Sequence, residues 1–357
     1  TEITSAYLTR IAGMYKTLLD NITRMDASPV ALGKMCERKK QSSCLFFNTC
    51  WQKLLEGGSI LEYFGNHNGF VDENNVRHSI FELINSGYET LDSIPKKWLQ
   101  KENNLIQREC YDDDKEYINN NKIVHGYKKI VYPIYHLDFE SFPSPLPRFV
   151  KEKPYAQSVF QFSLHIEREM GKCDKNKDHY EYLAPDFNDH RLDLVKKMIE
   201  YIDLSNGGTV LVYNKNFEHT RIKEFANFFP EYRKELENIN EHMFDLLDLV
   251  STSKKLYHDE LGFGEEESGV NNYYHNNLHG SYSIKKVLPV FSNLTYKGMN
   301  VANGTEAIAA YAKFPSLSSE DLHKVRTDLI TYCKQDTWAM VVVLWGLLEK
   351  VGLKKEE

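Results

Sequence analysis

The sequence predicts an α/β layer architecture preceded by a mostly helical N-terminal region. Three observations predict it. Strand patterns are missing before about residue 120 and frequent after it. Thr209-Val210-Leu211-Val212-Tyr213 is a short unbroken apolar run, as expected of a central strand buried on both faces. The chain then closes on long helical patterns, so strands and helices share one core.

Composition narrows the function classes. With 357 residues, 41% hydrophobic and 13% aromatic, the chain is long enough for a substantial core and two domains. Its net charge of −7 argues against a broad basic surface that coats nucleic acid, although a narrow basic groove remains compatible. No apolar run approaches the roughly 18 residues of a membrane span, so no membrane contact is expected. No signal segment opens the chain, and it starts at Thr1 rather than methionine, which suggests a piece of a longer protein. The six cysteines are not spaced as a secreted disulfide framework, so a reducing cytoplasm is expected.

Leu8, Ile11, Met14, Leu18, Leu19 and Ile22 recur at helical spacing and predict an amphipathic helix over Ser5 to about Thr23. Cys36-x7-Cys44-x5-Cys50 follows, with Trp51 directly after it. Thiolates bunched this closely can ligate zinc or an iron–sulfur cluster; three reduced cysteines in a small helical core are the alternative. Leu54, Leu55, Ile60, Leu61 and Phe64 fit one helix, and Ile80, Phe81, Leu83 and Ile84 another. Asp112-Asp113-Asp114 reads as a solvated loop, and with Asn119-Asn120-Asn121 it marks a boundary near residue 120. The expected domains are therefore residues 1–120 and 121–357.

The second domain opens with Ile134-Tyr135-His136-Leu137-Asp138-Phe139-Glu140, a strand with Leu137 and Phe139 on one face and Asp138 and Glu140 on the other. Pro143, Pro145 and Pro147 end it. In Val159–Glu167, Phe160, Phe162, Leu164 and Ile166 are expected to face the core, with Gln161, Ser163 and His165 turned away. Tyr180 to Leu183 makes a third strand, and Asp189 caps a helix carrying Leu192, Val195, Ile199 and Ile202. After the buried strand come a helix with Ile222, Phe225 and Ala226, a helix with Phe244, Leu246, Leu247 and Leu249, and a mobile loop over Asp259–Gly280. A short helix follows Ser283, and Ser318 caps a last helix that runs to about Gly352.

Acidic residues fall at the ends or faces of these elements. Asp138 and Glu140 lie on the first strand, Glu218 follows the buried strand, and Asp336 sits on the last helix, one turn beyond Tyr332. Each is an ordinary surface acid when taken alone. Together they would form a carboxylate cage, and oxygen-only ligands suit Mg²⁺ or Mn²⁺. Two such ions are a common means of driving in-line attack on a phosphodiester.

The order of these motifs resembles the DEDD exonuclease superfamily, the DnaQ-like branch of the ribonuclease H-like fold, in its tyrosine subtype. The matching residues are Asp138-Phe139-Glu140, Asn214-Lys215-Asn216-Phe217-Glu218 and Tyr332-Cys333-Lys334-Gln335-Asp336, with Thr331 where the histidine subtype needs histidine. The resemblance departs at Glu218, where the superfamily has Asp. Wider strings, among them Tyr132 to Glu140, Pro154-Tyr155, Phe160 to His165, Gly280 to Pro289 and Tyr332 to Thr337, resemble an uncharacterised bacterial domain family of that superfamily. In that family the domain follows a RecB-type, PD-(D/E)XK-like nuclease region that carries an iron–sulfur cluster, and Cys36, Cys44 and Cys50 resemble its last three ligands.

The resemblance implies a ribonuclease H-like mixed sheet flanked by helices, and a 3′-to-5′ exonuclease acting on single-stranded DNA or RNA ends. It implies that Asp138, Glu140, Glu218 and Asp336 hold two Mg²⁺ or Mn²⁺ ions and that Tyr332 orients the attacking water. It further implies a 4Fe–4S cluster in the longer protein, with an upstream nuclease region as partner. Ser141 and Asn214 flank the acids and are candidates to touch the terminal nucleotide, Phe142 to stack on a base and Lys285 to reach a phosphate. Two other readings stay open: a binding module whose cage has lost activity, which the Glu218 change favours, and a phosphodiesterase of short oligonucleotides.

Overall fold

The computed structural model describes residues 2–24, 31–33, 36 and 47–353. It divides into two compact units, Thr1–Gln100 and Lys101–Glu357.

The first unit begins with helix α1 (Glu2–Arg24). Its apolar residues Leu8, Ile11, Met14, Leu18 and Ile22 are each more than half exposed. The single helix expected around Leu54–Phe64 is broken. A four-residue helix, Gln52–Leu55, gives way to a 3-10 turn, Ile60–Glu62. Gly57 and Gly58 lie between them at φ +95° and +69°, a left-handed backbone that ends a helix. Helix α2 (Ile80–Asn85) is set by a capping box in which Ser79 and Glu82 satisfy each other's backbone amides. Trp51, Ile60, Tyr63, Leu91 and Ile94 make the small core.

The division falls some twenty residues before the expected boundary near 120. Helix α3 (Glu102–Asp113) belongs to the second unit, where Asn103 Oδ1 accepts from the Asn271 amide at 2.8 Å. Asp112 and Asp113 therefore finish a helix instead of forming a free loop, and Asp114 caps it in the left-handed region. Tyr117–Ile118 pairs with Tyr273–Tyr274, and Asn119 caps helix α4 (Asn120–Tyr127). The expected loop over 259–280 is thus a packed segment, with Tyr273, Tyr274 and Leu278 fully buried.

A five-stranded sheet forms the centre of the second unit. Its strands are β1 (Ile134–Pro143), β2 (Gln157–Glu167), β3 (His179–Leu183), β4 (Thr209–Val212) and β5 (Met243–Asp245), in the order β3-β2-β1-β4-β5. β2 runs antiparallel to both neighbours, while β1, β4 and β5 pair in parallel. β5 corrects the expectation of a helix at Phe244. The strand takes Phe244, and only Leu246–Val250 is helical.

One sheet face is apolar. Tyr135, Leu137, Phe139, Phe162 and Leu164 pack on residues of helices α5 (Arg191–Tyr201), α6 (Asn216–Phe228) and α7 (Arg233–Glu241), among them Val195, Ile222, Phe225 and Leu236. The other face is polar and also buried. Helix α8 (Leu246–Val250) leads toward helices α9 (Ile284–Phe291) and α10 (Gly304–Ala312) and the long α11 (Ser319–Lys350), which covers this face. Thr337 of α11 meets Ser163 Oγ at 2.7 Å and His165 Nδ1 at 2.8 Å, and Gln161 Nε2 donates to the Leu329 carbonyl. Gln161, Ser163 and His165 do not face away from the core as alternation suggested, because β2 is an interior strand with helices on both sides. Phe160 is buried as expected, but not as a paired residue of the ladder. The register jumps from Glu140↔Gln161 to Ser141↔Val159, so Phe160 is the extra residue of a bulge and stacks on Tyr311 at 4.0 Å.

Candidate metal centre

The polar face gathers the acids. Two-residue periodicity aims Asp138 and Glu140 from β1 at α11, and the bulge beside Glu140 locally bends the pairing. Helical periodicity aims Tyr332 and Asp336 from α11 back at β1. One oxygen each from Asp138, Glu140 and Asp336 lies within 4.8 Å of the others. Cys333 Sγ approaches Asp138 Oδ2 at 3.6 Å.

Glu218, on the first turn of α6, adds to the charge at Asp138 and Glu140 but stands outside that tight set. Its placement depends on the turn before it. Asn214 takes a left-handed backbone, φ +64°, and the amides of Asn214 and Lys215 both donate to Asp245 at 2.8 Å. Asp245 also caps α8 through the Leu247 amide. Its carboxylate is therefore committed to backbone donors and is not a spare ligand in place of Glu218.

Burial dominates the electrostatics. It raises Asp138 well above the usual carboxylate range, and Asp336, Glu140 and Glu218 push the same way. Burial and then Asp336 raise Glu140 to about 8, while the Lys285 ammonium opposes them. Burial and then Asp245 raise Glu218 to about 8. Asp336 rises only to about 6, because the phenols of Tyr296 and Tyr332 and the Lys285 charge counter its burial. Burial, and then the charge of Asp336, drive the Tyr332 phenol upward, so it stays protonated.

These residues fit a divalent cation. Glu218 Oε2 and Asp336 Oδ1 are buried with no hydrogen-bond partner among the described residues. Buried acids that repel one another and keep bare oxygens are the arrangement that a hard cation relieves. The donors are all oxygen, which suits Mg²⁺ or Mn²⁺.

Lys285 joins the cage. Its Nζ sits 5.0 Å from the Tyr296 ring centre and 5.2 Å from that of Tyr332, and donates to the Ala302 carbonyl at 2.5 Å. The other candidates are tied elsewhere. Ser141 Oγ donates to Gln157 Oε1 at 2.7 Å. Phe142 packs edge-on against Phe187 and Tyr311 in a cluster capped by Arg148, so its ring is engaged inside the fold. Asn214 is exposed and contributes its backbone shape. Cys36 and Cys50 are free thiols, the first half-buried and the second exposed, and Cys44 lies outside the described residues. Sequence reasoning missed Tyr296 altogether. It lies in the irregular segment between α9 and α10, where no periodicity or motif marks it.

A deeply buried carboxylate cage on a mixed sheet defines the class: an α/β domain whose acidic triad can hold a metal ion. Comparison with known proteins places the domain among uncharacterised ones. Residues 135–283 match the family described as Domain of unknown function (DUF2779). The chain is 29% identical over 225 residues to Uncharacterized protein UU173 of Ureaplasma parvum, covering 58% of this chain and 30% of that protein. It is 27% identical over 248 residues to the MG366 homolog of Mycoplasma pneumoniae, and 25% over 250 residues to MG366 of Mycoplasma genitalium, in each case covering 66% of this chain and 35% of the relative. The chain thus spans about a third of the length of the curated relatives it matches. No solved structure matches it. Among the described residues no helix is long and apolar enough to cross a membrane.

Proposed function

We propose that the second unit is a two-metal-dependent 3′-to-5′ exonuclease acting on single-stranded DNA or RNA ends, built on a ribonuclease H-like sheet. The observation that carries this reading is the convergence of Asp138, Glu140 and Asp336 from distant elements to within 4.8 Å, with Tyr332 one turn from Asp336. The DEDD motif order supports it.

In this reading Asp138, Glu140, Asp336 and Glu218 hold two Mg²⁺ or Mn²⁺ ions. When bound, the ions supply Lewis acidity and neutralise charge during in-line attack on a phosphodiester. The chain's own groups do the rest. Tyr332 keeps its proton and orients water beside Asp336. Lys285 offsets part of the cage's negative charge and offers an ammonium to an entering phosphate.

The test is degradation of end-labelled single strands, DNA and RNA, with Mg²⁺ or Mn²⁺. A ladder of shortening products that Asp138→Asn abolishes is expected. Identical behaviour of wild type and Asp138→Asn removes the reading, and turnover confined to dinucleotides replaces it with a short-oligonucleotide phosphodiesterase. A second reading, a binding module with a weakened cage, draws on Glu218 standing outside the tight set. Metal and strand binding without turnover would select it. For the longer protein we keep Cys36, Cys44 and Cys50 as proposed ligands of an iron–sulfur cluster in a RecB-like region, in a cytoplasmic setting. A colourless, metal-free full-length protein after anaerobic purification would end that part of the proposal.

A further inference from the structure

The segment between α9 and α10, residues 292–303, brings Tyr296 to the cage and is held at several points. Lys285 Nζ holds the Ala302 carbonyl at 2.5 Å, and the Ala302 amide donates to Glu306 Oε2 at 2.8 Å. Asn300 Nδ2 donates to Asp328 Oδ1 at 3.1 Å, and Val301 is buried. So fixed, the segment inserts Tyr296, 7% exposed, with its ring edge-on to Tyr332 at 6.2 Å and the Lys285 ammonium over its face. Its hydroxyl lies against Asp336 and acts on that carboxylate, but neither the hydroxyl nor Asp336 Oδ1 has a well-formed hydrogen bond among the described residues. Buried polar atoms are seldom left unpaired in a native fold, and two of them together at a polar cage mark a place for a water or ligand.

We propose that Tyr296 is a second positioning residue of the cage, whose hydroxyl, beside Tyr332, holds a water against Asp336. This rests on the acids' holding a divalent cation, and it assigns the water-holding role to a pair of phenols instead of to Tyr332 alone. A cation seated among the acids brings water with it, and the Tyr296 hydroxyl is a buried donor beside Asp336, without a well-formed bond among the described residues, to receive that water. Because the hydroxyl makes no well-formed hydrogen bond among the described residues, its removal is expected to cost the metal-free fold little.

The experiment compares wild type with Tyr296→Phe in the whole chain, using Mn²⁺ alone as probe. Melting in EDTA is expected to be unchanged or higher in the variant. Its Mn²⁺ dissociation constant by titration calorimetry is expected to rise about 3- to 10-fold, the worth of one hydrogen bond. Where wild type degrades strands, kcat is expected to fall about 10-fold with KM unchanged. A dissociation constant within about twofold of wild type, or a clear drop of the EDTA melting temperature, overturns the assignment and makes Tyr296 a packing residue. Wild type that binds Mn²⁺ but degrades nothing removes the nuclease reading alone and leaves Tyr296 judged by the Mn²⁺ affinity. Wild type that binds no Mn²⁺ removes both.

Discussion

Glu140→Gln should make the metal-free protein more stable and the metal-loaded protein less responsive. An unfolded Glu140 titrates at 4.5, whereas the folded residue is raised to about 8, chiefly by burial and then by Asp336. A folded value above the unfolded one means that the group disfavours folding increasingly as pH rises from 4.5 through 8. At pH 7 folding must place a proton on a carboxyl that solvent would leave ionised, over about 2.5 pH units at about 1.36 kcal/mol each, on the order of 3 kcal/mol. Glutamine keeps the shape and removes this cost. At about 2 °C per kcal/mol for a domain of this size, the variant should melt about 6 °C above wild type in EDTA at pH 7. Saturating Mn²⁺ reverses the order. A ligand at a hundred times its dissociation constant stabilises by about 2.7 kcal/mol, and a cage lacking one carboxylate forfeits most of it. The assay is calorimetric melting of both proteins at pH 5, 7 and 8.5, in EDTA and in millimolar Mn²⁺. The gap in EDTA should widen with pH. Equal melting in EDTA together with an equal Mn²⁺ shift would show that the acids neither repel one another nor share a cation, and the reasoning would fail.

Glu218→Gln should likewise fold and melt higher without metal, since burial raises that carboxyl to about 8 as well, and should cost an active enzyme about 100-fold or more in turnover. Asp245→Ala removes three backbone partners and should cost about 3 kcal/mol by denaturant melts, with weaker Mn²⁺ binding because the turn carrying Glu218 loosens. Burial lowers His165 to about 3, so its neutral form is fully favourable above 6.5 and loses ground as pH falls toward 3. Urea unfolding of His165→Asn and wild type should therefore diverge by about 2 kcal/mol in the variant's favour between pH 6.5 and 5, and a pH-independent difference would contradict the buried neutral histidine.

The sequence by itself determined the elements that carry local rules. Strand alternation put Asp138 and Glu140 on one face, and helical spacing put Tyr332 and Asp336 on another, because side-chain direction follows backbone period alone. The cap at Ser318 and the buried strand at Thr209 were legible for the same reason. Short or interrupted elements were not. β5 spans only Met243–Asp245, too short for a period to show, and the Phe160 bulge exists only in the pairing of two strands. Nor could alternation show that Gln161, Ser163 and His165 are buried, since polarity marks a face and not what covers it. Only the tertiary structure decided that α11 lies on that polar face, so that acids about 200 residues apart in sequence meet. It also placed Tyr296 and Lys285 in the cage and committed Asp245 to backbone amides. Those assignments depend on long-range packing, in which distance in space is independent of separation along the chain.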